Sequence, residues 1–353
     1  MTMTPRYLIL ADGAFGPFTS KTAVGCIRFT PEQVVAVLDT VNAGRTVQDV
    51  LGFGGDIPVV ASVAEGLTLQ PNVLLIGIAP AGGRLPEAWR PVLRAALDSG
   101  LHVWSGLHVF IGDDPEFAEL ALRRNVQIVD VRKPPADLPV SSGRVRDVDA
   151  TIILTVGSDC NIGKMTTQLA VRAALRDLGV RVAFAGTGQT GIFIDGKGIA
   201  VDAVVADFIG GAAERLVLDA AKDADIVLVE GQGSLIHPGF SGVTFGLMHG
   251  SLPHALVLCT QPSRKTIRNN DWVSIPSHKA LIALHDAVTT PLRYAPTIAI
   301  AMNTFDLDDD AARDAIERAM AETRLPATDP VRFDPSPIAE AILAVHEARL
   351  AAR

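Results

Sequence analysis

Glycines at 157 and 163 bracket five residues, Ser158, Asp159, Cys160, Asn161 and Ile162, and Lys164, Met165 and Thr166 follow at once. The run before them, Thr151-Ile-Ile-Leu-Thr-Val156, is apolar and β-branched, and residues 166–177 carry helical apolar spacing. Strand, glycine loop and helix in that order describe a phosphate-binding loop. Its glycines let backbone N–H groups converge on phosphate oxygens, the helix N-terminus adds partial positive charge, and the lysine adds a mobile cation. The loop departs from the usual pattern twice: five residues rather than four separate its glycines, and Met165 stands where a Ser or Thr hydroxyl would ligate magnesium. Thr166 and Thr167 do not replace that hydroxyl, because each helical residue turns about 100° further round the axis. Phosphate binding is the expectation; nucleotide hydrolysis does not follow from it.

Other residues could complete a site. Glu230 ends the apolar run 226–229 and is followed by Gly-Gln-Gly-Ser234, the place where a parallel strand offers a carboxylate to a nucleotide site. His237 follows in a glycine-rich loop and could act as a general base or be packed by hydrogen bonds. Arg264 and Lys265, after the strand at 255–259, suit a substrate carboxylate or phosphate, and Asn303, after the strand at 297–301, could read a base edge. Towards the N-terminus, Gly82 and Gly83 lie in Gly77-Ile-Ala-Pro-Ala-Gly-Gly83 and His108 in Ser105-Gly-Leu-His108, both at strand ends where an open sheet binds ligands. Gln189 and Thr190 lie in the glycine-rich Thr187-Gly-Gln-Thr-Gly191, and Asp202 and Asp207 bracket a short apolar segment.

Strand-like runs at 7–11, 58–61, 73–78, 101–104 and 126–131 alternate with helical patterns at 31–40, 85–99 and 115–124. Such alternation implies a doubly wound parallel sheet. The fold class expected is α/β, with a Rossmann-like N-terminal domain (1–140) and a P-loop NTPase-like C-terminal domain (141–353). A linker is expected at 132–143, where three prolines, two serines and charge interrupt the pattern. In the second domain, strands are expected at 181–185, 226–229, 255–259, 297–301 and 331–333, and helices at 308–323 and 337–351. Neither Asp12-Gly-Ala-Phe-Gly16 nor Gly52-Phe-Gly-Gly55 is a dinucleotide fingerprint.

With 353 residues, 48% hydrophobic and 20% charged, the chain is long enough for two globular cores. A formal charge of −8 without a basic run argues against nucleic acid or an anionic membrane as partner. Three cysteines without paired spacing, and no apolar run long enough to span a bilayer, fit the cytoplasm. A homo-oligomer is expected.

Gly157-Ser-Asp-Cys-Asn-Ile-Gly-Lys164 together with Val229-Glu-Gly-Gln-Gly233 resembles the dethiobiotin synthetases, which activate a carbamate with ATP and magnesium. Lys21-Thr-Ala, Gly77-Ile-Ala-Pro-Ala-Gly-Gly83, Ser105-Gly-Leu-His108, Asp130-Val-Arg-Lys-Pro-Pro135, Gly163-Lys-Met-Thr166, Thr187-Gly-Gln-Thr-Gly191 and Glu230-Gly-Gln-Gly-Ser234 resemble, over nearly the whole chain, a bacterial family long catalogued as a domain of unknown function. One branch of that family is the D-glutamate N-acetyltransferases, which use acetyl-CoA. The resemblance implies an amino-acid acceptor, and acyl transfer from a thioester needs no magnesium hydroxyl, which suits Met165. In that reading residues 157–166 and Asn303 hold coenzyme A. Gly82, Gly83, His108, Gln189, Thr190, Arg264 and Lys265 hold the amino acid, and Glu230 or His237 takes the proton. The alternative is a synthetase or kinase with ATP on the loop and magnesium on Asp202, Asp207 and Glu230.

Overall fold

A computed structural model describes residues 3–78 and 83–352 of the chain. The chain divides into two compact units, Met1–Pro134 with Gln189–Ala203 and Pro135–Gly188 with Val204–Arg353. The first crossing between units falls at Pro134 and Pro135, inside the proline-rich stretch.

In the first unit Tyr7–Leu10 (β1), Val34–Leu38 (β2), Val59–Val60 (β3), Val73–Ile76 (β4), His102–Ser105 (β5) and Ile128–Asp130 (β6) form one parallel sheet in the order β3-β2-β1-β4-β5-β6. The order reverses between β1 and β4, the position at which open sheets leave a crevice at their carboxyl edge. Both strands are buried along their whole length, which explains their unbroken apolar sequence. The helix expected at 31–40 is instead a 3-10 turn, Pro31–Gln33, running into β2. Its apolar residues fill a buried strand, a setting in which continuous apolar sequence loses the alternation that separates strand from helix. Pro115–Arg124 is helical as expected, bounded by Asp114, whose side chain accepts from the Glu116 N–H, and by Asn125 in a left-handed conformation.

The insertion Gln189–Ala203 belongs to this unit through specific contacts. Phe193 stacks on Trp104 with ring centroids 6.4 Å apart, and its carbonyl accepts from the buried Tyr7 hydroxyl at 3.3 Å.

The second unit contains Thr151–Gly157 (β7), Val182–Ala185 (β8), Ile226–Val229 (β9), Ala255–Thr260 (β10), Thr297–Met302 (β13) and Ala327–Thr328 (β14), again parallel, in the order β14-β13-β10-β7-β9-β8. Between β10 and β13 a hairpin, Thr266–Ile267 (β11) with Asn270–Ser274 (β12), stands apart from the sheet. Residues 331–333, expected as a strand, form a turn, and Ala327–Thr328 takes the edge position instead. One core cluster gathers Ile153, Val257 and Ala299 from the sheet with Val171 and Leu175 from the helix Lys164–Asp177 and Ile338 and Ile342 from the helix Ser336–Ala351.

Segment 141–144 is fastened rather than loose. Fully buried Glu214 accepts from the Ser142, Gly143 and Arg144 N–H groups, from the Ser141 and Ser142 hydroxyls and from the Arg144 guanidinium. Burial pushes its carboxyl up, but these donors outweigh that and hold it below the usual glutamate range. Among the described residues no helix is long and apolar enough to cross a membrane.

Candidate phosphate-binding site

The loop between β7 and the helix Lys164–Asp177 is built as a phosphate site requires. Gly163 takes φ +104, left-handed backbone that favours glycine, and the helix it opens has neither a side-chain cap nor an acidic residue in its first turn. The first N–H groups of that helix and its partial positive charge are therefore left to an anion.

Lys164 is 6% exposed and its Nζ donates to the Asp159 carbonyl at 2.6 Å. Its stem runs through a slot made by two missing side chains. A Cβ added at Gly157 or Gly231 would lie 3.4 or 3.0 Å from the lysine Cδ, and the one at Gly231 would also strike the Thr155 carbonyl oxygen at 1.8 Å. The glycine after Glu230 is thus required by the approach of β9's end to β7. Met165 is buried and Thr166 half-buried, so the loop's first helical turn carries a thioether where a metal-binding loop carries a hydroxyl.

Asp159 is fully buried, and its carboxylate accepts from the Cys160 N–H at 2.6 Å, the Arg268 N–H at 2.9 Å and the Arg264 guanidinium at 2.8 Å. Arg264 also donates to the Cys160 carbonyl at 2.8 Å. The cation expected to meet a substrate therefore fastens the hairpin side of the unit to the loop. Lys265 is exposed and donates to the Pro262 carbonyl at 2.9 Å. Asn303 flanks the loop, its Cβ 4.0 Å from where a Cβ at Gly163 would lie. Ser158 is held by its N–H on the Cys259 carbonyl at 3.1 Å, Ile162 is buried, and Asn161 takes φ 53.

Glu230 is 3% exposed, and its carboxylate accepts from the Thr187 and Gly188 N–H groups at 2.9 and 3.1 Å and from the Gln232 amide at 3.3 Å. It holds the loop after β8 against the end of β9. His237, 6% exposed, accepts the Gly239 N–H on Nδ1 at 3.1 Å, and its ring lies 4.5 Å from that of Phe240. The fold brings His237 to the loop: ligand atoms of Asp159, Cys160 and His237 all lie within 4.8 Å of one another. Among the described residues this is the group of three potential metal ligands found so close, and it contains none of Asp202, Asp207 and Glu230. The Arg264 guanidinium on Asp159 places positive charge where a cation would sit.

The remaining expected residues lie elsewhere. Asp207 is exposed in the first turn of the helix Ala206–Ala220 of the second unit. In the first unit the His108 and Val109 N–H groups donate to the Gly83 carbonyl at 3.1 and 3.2 Å, and a Cβ at Gly83 would meet the His108 ring at 2.6 Å. Burial, and then the charge of Arg132, holds the His108 imidazole below its usual pKa. Thr190 shares a 3.0 Å hydrogen bond with Thr22. Gln189 and Asp202 both accept from Arg132, which is 7% exposed and also donates to the Gly106 carbonyl at 2.6 Å. Arg132 carries this polar cluster, yet the sequence reading placed it in a linker; its place two residues after the end of β6 was the available signal. Gly82 lies outside the described residues.

Two family models match the chain: a P-loop domain of unknown function, DUF1611_C, over residues 139–339, and a Rossmann-like domain of unknown function, DUF1611_N, over residues 40–134. A protein of Pseudoalteromonas named D-glutamate N-acetyltransferase is 35% identical over 94% of this chain and 97% of its own length. A protein of the same name from Tritonibacter scottomollicae is 35% identical over 98% of this chain and 100% of its own. The crystal structure of a DUF1611 family protein from Anabaena variabilis, 39% identical, superposes with a TM-score of 0.91 and covers 96% of this chain and 99% of that one.

Proposed function

This chain belongs to the DUF1611 family, and from that premise we propose that it is an N-acetyltransferase that moves the acetyl group of acetyl-CoA to the amine of an amino acid, with D-glutamate the acceptor. The observation that carries the donor assignment is the loop itself. Lys164 and an uncapped helix N-terminus offer phosphate a cation and backbone donors, while Met165 offers magnesium nothing. Coenzyme A has phosphates to grip, and its thioester transfers an acyl group without cleavage of a phosphoanhydride.

In this reading Lys164 leaves the Asp159 carbonyl for a phosphate oxygen, with residues 157–166 as the cradle and Asn303 at its rim. Lys265, exposed beside the loop's clamp, takes the acceptor carboxylate more readily than Arg264, whose guanidinium is occupied by Asp159 and the Cys160 carbonyl. Two groups compete for the proton of the attacking amine. Both oxygens of Glu230 accept hydrogen bonds, two of them from the backbone of the loop after β8, so its carboxylate is engaged in holding that loop. His237 is held on Nδ1 by the Gly239 N–H, a weaker tie to break, so His237 is the base we assign. Backbone N–H groups of the glycine loops stabilise the tetrahedral oxyanion, an effect of roughly 3–4 kcal/mol per donor. Because the pantetheine arm separates phosphate from thioester, the assignment requires that arm to fold back towards the loop. A His237→Gln variant retaining full kcat contradicts it.

The second reading, ATP and magnesium activating a small carboxylate, draws on the loop's likeness to nucleotide-binding loops. Its metal ligands fit poorly: Asp202 is paired with Arg132 and Glu230 is covered by donors. Calorimetry separates the readings. Coenzyme A should bind without magnesium and ATP more weakly; tight ATP binding that requires magnesium, with no binding of coenzyme A, would reverse the assignment.

A further inference from the structure

The Cys160 N–H is spent on the Asp159 carboxylate at 2.6 Å, and its carbonyl accepts from the Arg264 guanidinium at 2.8 Å. This N–H is therefore not offered to an anion, and the residue's main chain is fixed on both sides. What Cys160 can offer a substrate is its half-buried thiol. Two cations lie along its backbone, Lys164 on the Asp159 carbonyl at 2.6 Å and Arg264 on the Cys160 carbonyl, and such neighbours favour a thiolate. The other two cysteines are fully buried, and burial pushes their thiols up, to about 12 for Cys26 and about 11 for Cys259. Neither is a nucleophile at neutral pH.

A base stands beside the Cys160 sulfur. His237 is 6% exposed, its Nδ1 accepts the Gly239 N–H at 3.1 Å, and its Nε2 meets no hydrogen-bond partner among the described residues. A ring nitrogen of His237 lies within 4.8 Å of the sulfur, looser than a hydrogen bond, as nucleophile and base often are before a substrate arrives. Because the Arg264 guanidinium occupies Asp159, sulfur and imidazole form a nucleophile and base rather than two corners of a metal site.

We propose that Cys160 carries the acetyl group as a thioester between donor and acceptor, with His237 moving the proton in both halves of the reaction. The inference rests on the acetyl-CoA reading of the loop. In the first half the Cys160 sulfur attacks the acetyl carbonyl and the bond from that carbon to the coenzyme A sulfur breaks. The thiol proton passes through His237, released from the Gly239 N–H, to the departing sulfur. In the second half the neutral amine of the amino acid attacks the acetyl-cysteine, its carbon–sulfur bond breaks, and the amine proton passes through His237 to restore the thiol. One thioester replaces another in the first half, and formation of the amide drives the second. Coenzyme A leaves before the amino acid enters, so a single small loop serves both substrates in turn.

The test incubates the full chain with acetyl-CoA alone and follows thiol release and intact mass, with peptide mapping of the label. One acetyl group per chain is expected on Cys160, with one thiol released, and added D-glutamate should remove the label at least as fast as steady-state turnover. Initial rates against both substrates should give parallel lines. Cys160→Ala keeps the backbone N–H that Asp159 accepts, so it should fold and bind coenzyme A like the wild type while kcat falls by about a thousandfold or more. Full kcat in Cys160→Ala would overturn the inference. Thiol release that requires D-glutamate, with intersecting lines, would do the same and leave direct acetyl transfer standing. No thiol release under any of these conditions would remove the acetyl-CoA reading and this inference with it.

Discussion

The two units use one architecture for opposite ends. Each has a six-stranded parallel sheet whose first strand leads through a loop into a helix that starts on a lysine, Lys21 in one and Lys164 in the other. In the first unit the lysine is exposed, and the loop is tied down by the buried Asp39, which accepts the Gly13 N–H at 2.6 Å. In the second the lysine is buried in a slot between two glycines, and the buried aspartate lies inside the loop and binds a guanidinium. Sheet order therefore does not make a phosphate site. What sets the second unit's loop apart is a buried cation over close-packed backbone, and that arrangement depends on residues far from the loop in sequence, Gly231 and Arg264 among them.

Substitutions that break this difference should rank accordingly. The largest effect is expected of Gly231→Ala, whose methyl group would lie 1.8 Å from the Thr155 oxygen; a loss above about 4 kcal/mol in denaturant unfolding is predicted. Gly16→Ala, in the first unit's loop, meets only the Thr19 hydroxyl at 3.1 Å and should change stability by less than about 1 kcal/mol. Asp159→Ala strands the Arg264 guanidinium and should cost about 3–5 kcal/mol.

A third test reads the loop's surroundings by pH. Burial, with a smaller contribution from the Lys164 charge, lowers the His285 imidazole to about 4 from an ordinary 6.5. The folded protein binds this proton less readily than the unfolded chain, so the stability it secures is complete above pH 6.5 and is lost as pH falls towards 4, by about 3 kcal/mol. Unfolding free energies across that window should show the fall in the wild type and a flatter profile in His285→Leu. Smaller again, Lys164→Ala should weaken coenzyme A binding by about 1.5–3 kcal/mol, roughly 10- to 150-fold, while Lys21→Ala leaves it unchanged. Equal losses would erase the contrast between the units. Chelation by EDTA should leave turnover where it was, because Met165 offers magnesium no ligand.

Much of the framework was legible in the sequence, since buried parallel strands write themselves as apolar runs and residues 151–164 announce their own geometry. The same rule misled at 31–40, where a buried strand mimicked helical spacing. Contacts between distant residues left no local trace. Nothing near Arg264 signals that it grips Asp159, nothing near Glu214 signals that six donors converge on it, and nothing near His237 signals its approach to Cys160. Arg132, lost among prolines, shows how a composition change can mask a buried charge.

The most direct test is to incubate the protein with acetyl-CoA and D-glutamate and follow thiol release alongside mass-spectrometric detection of the product. The account predicts one thiol released for each N-acetyl-D-glutamate formed, without ATP or magnesium. No thiol release with D-glutamate or any other amino acid would contradict it.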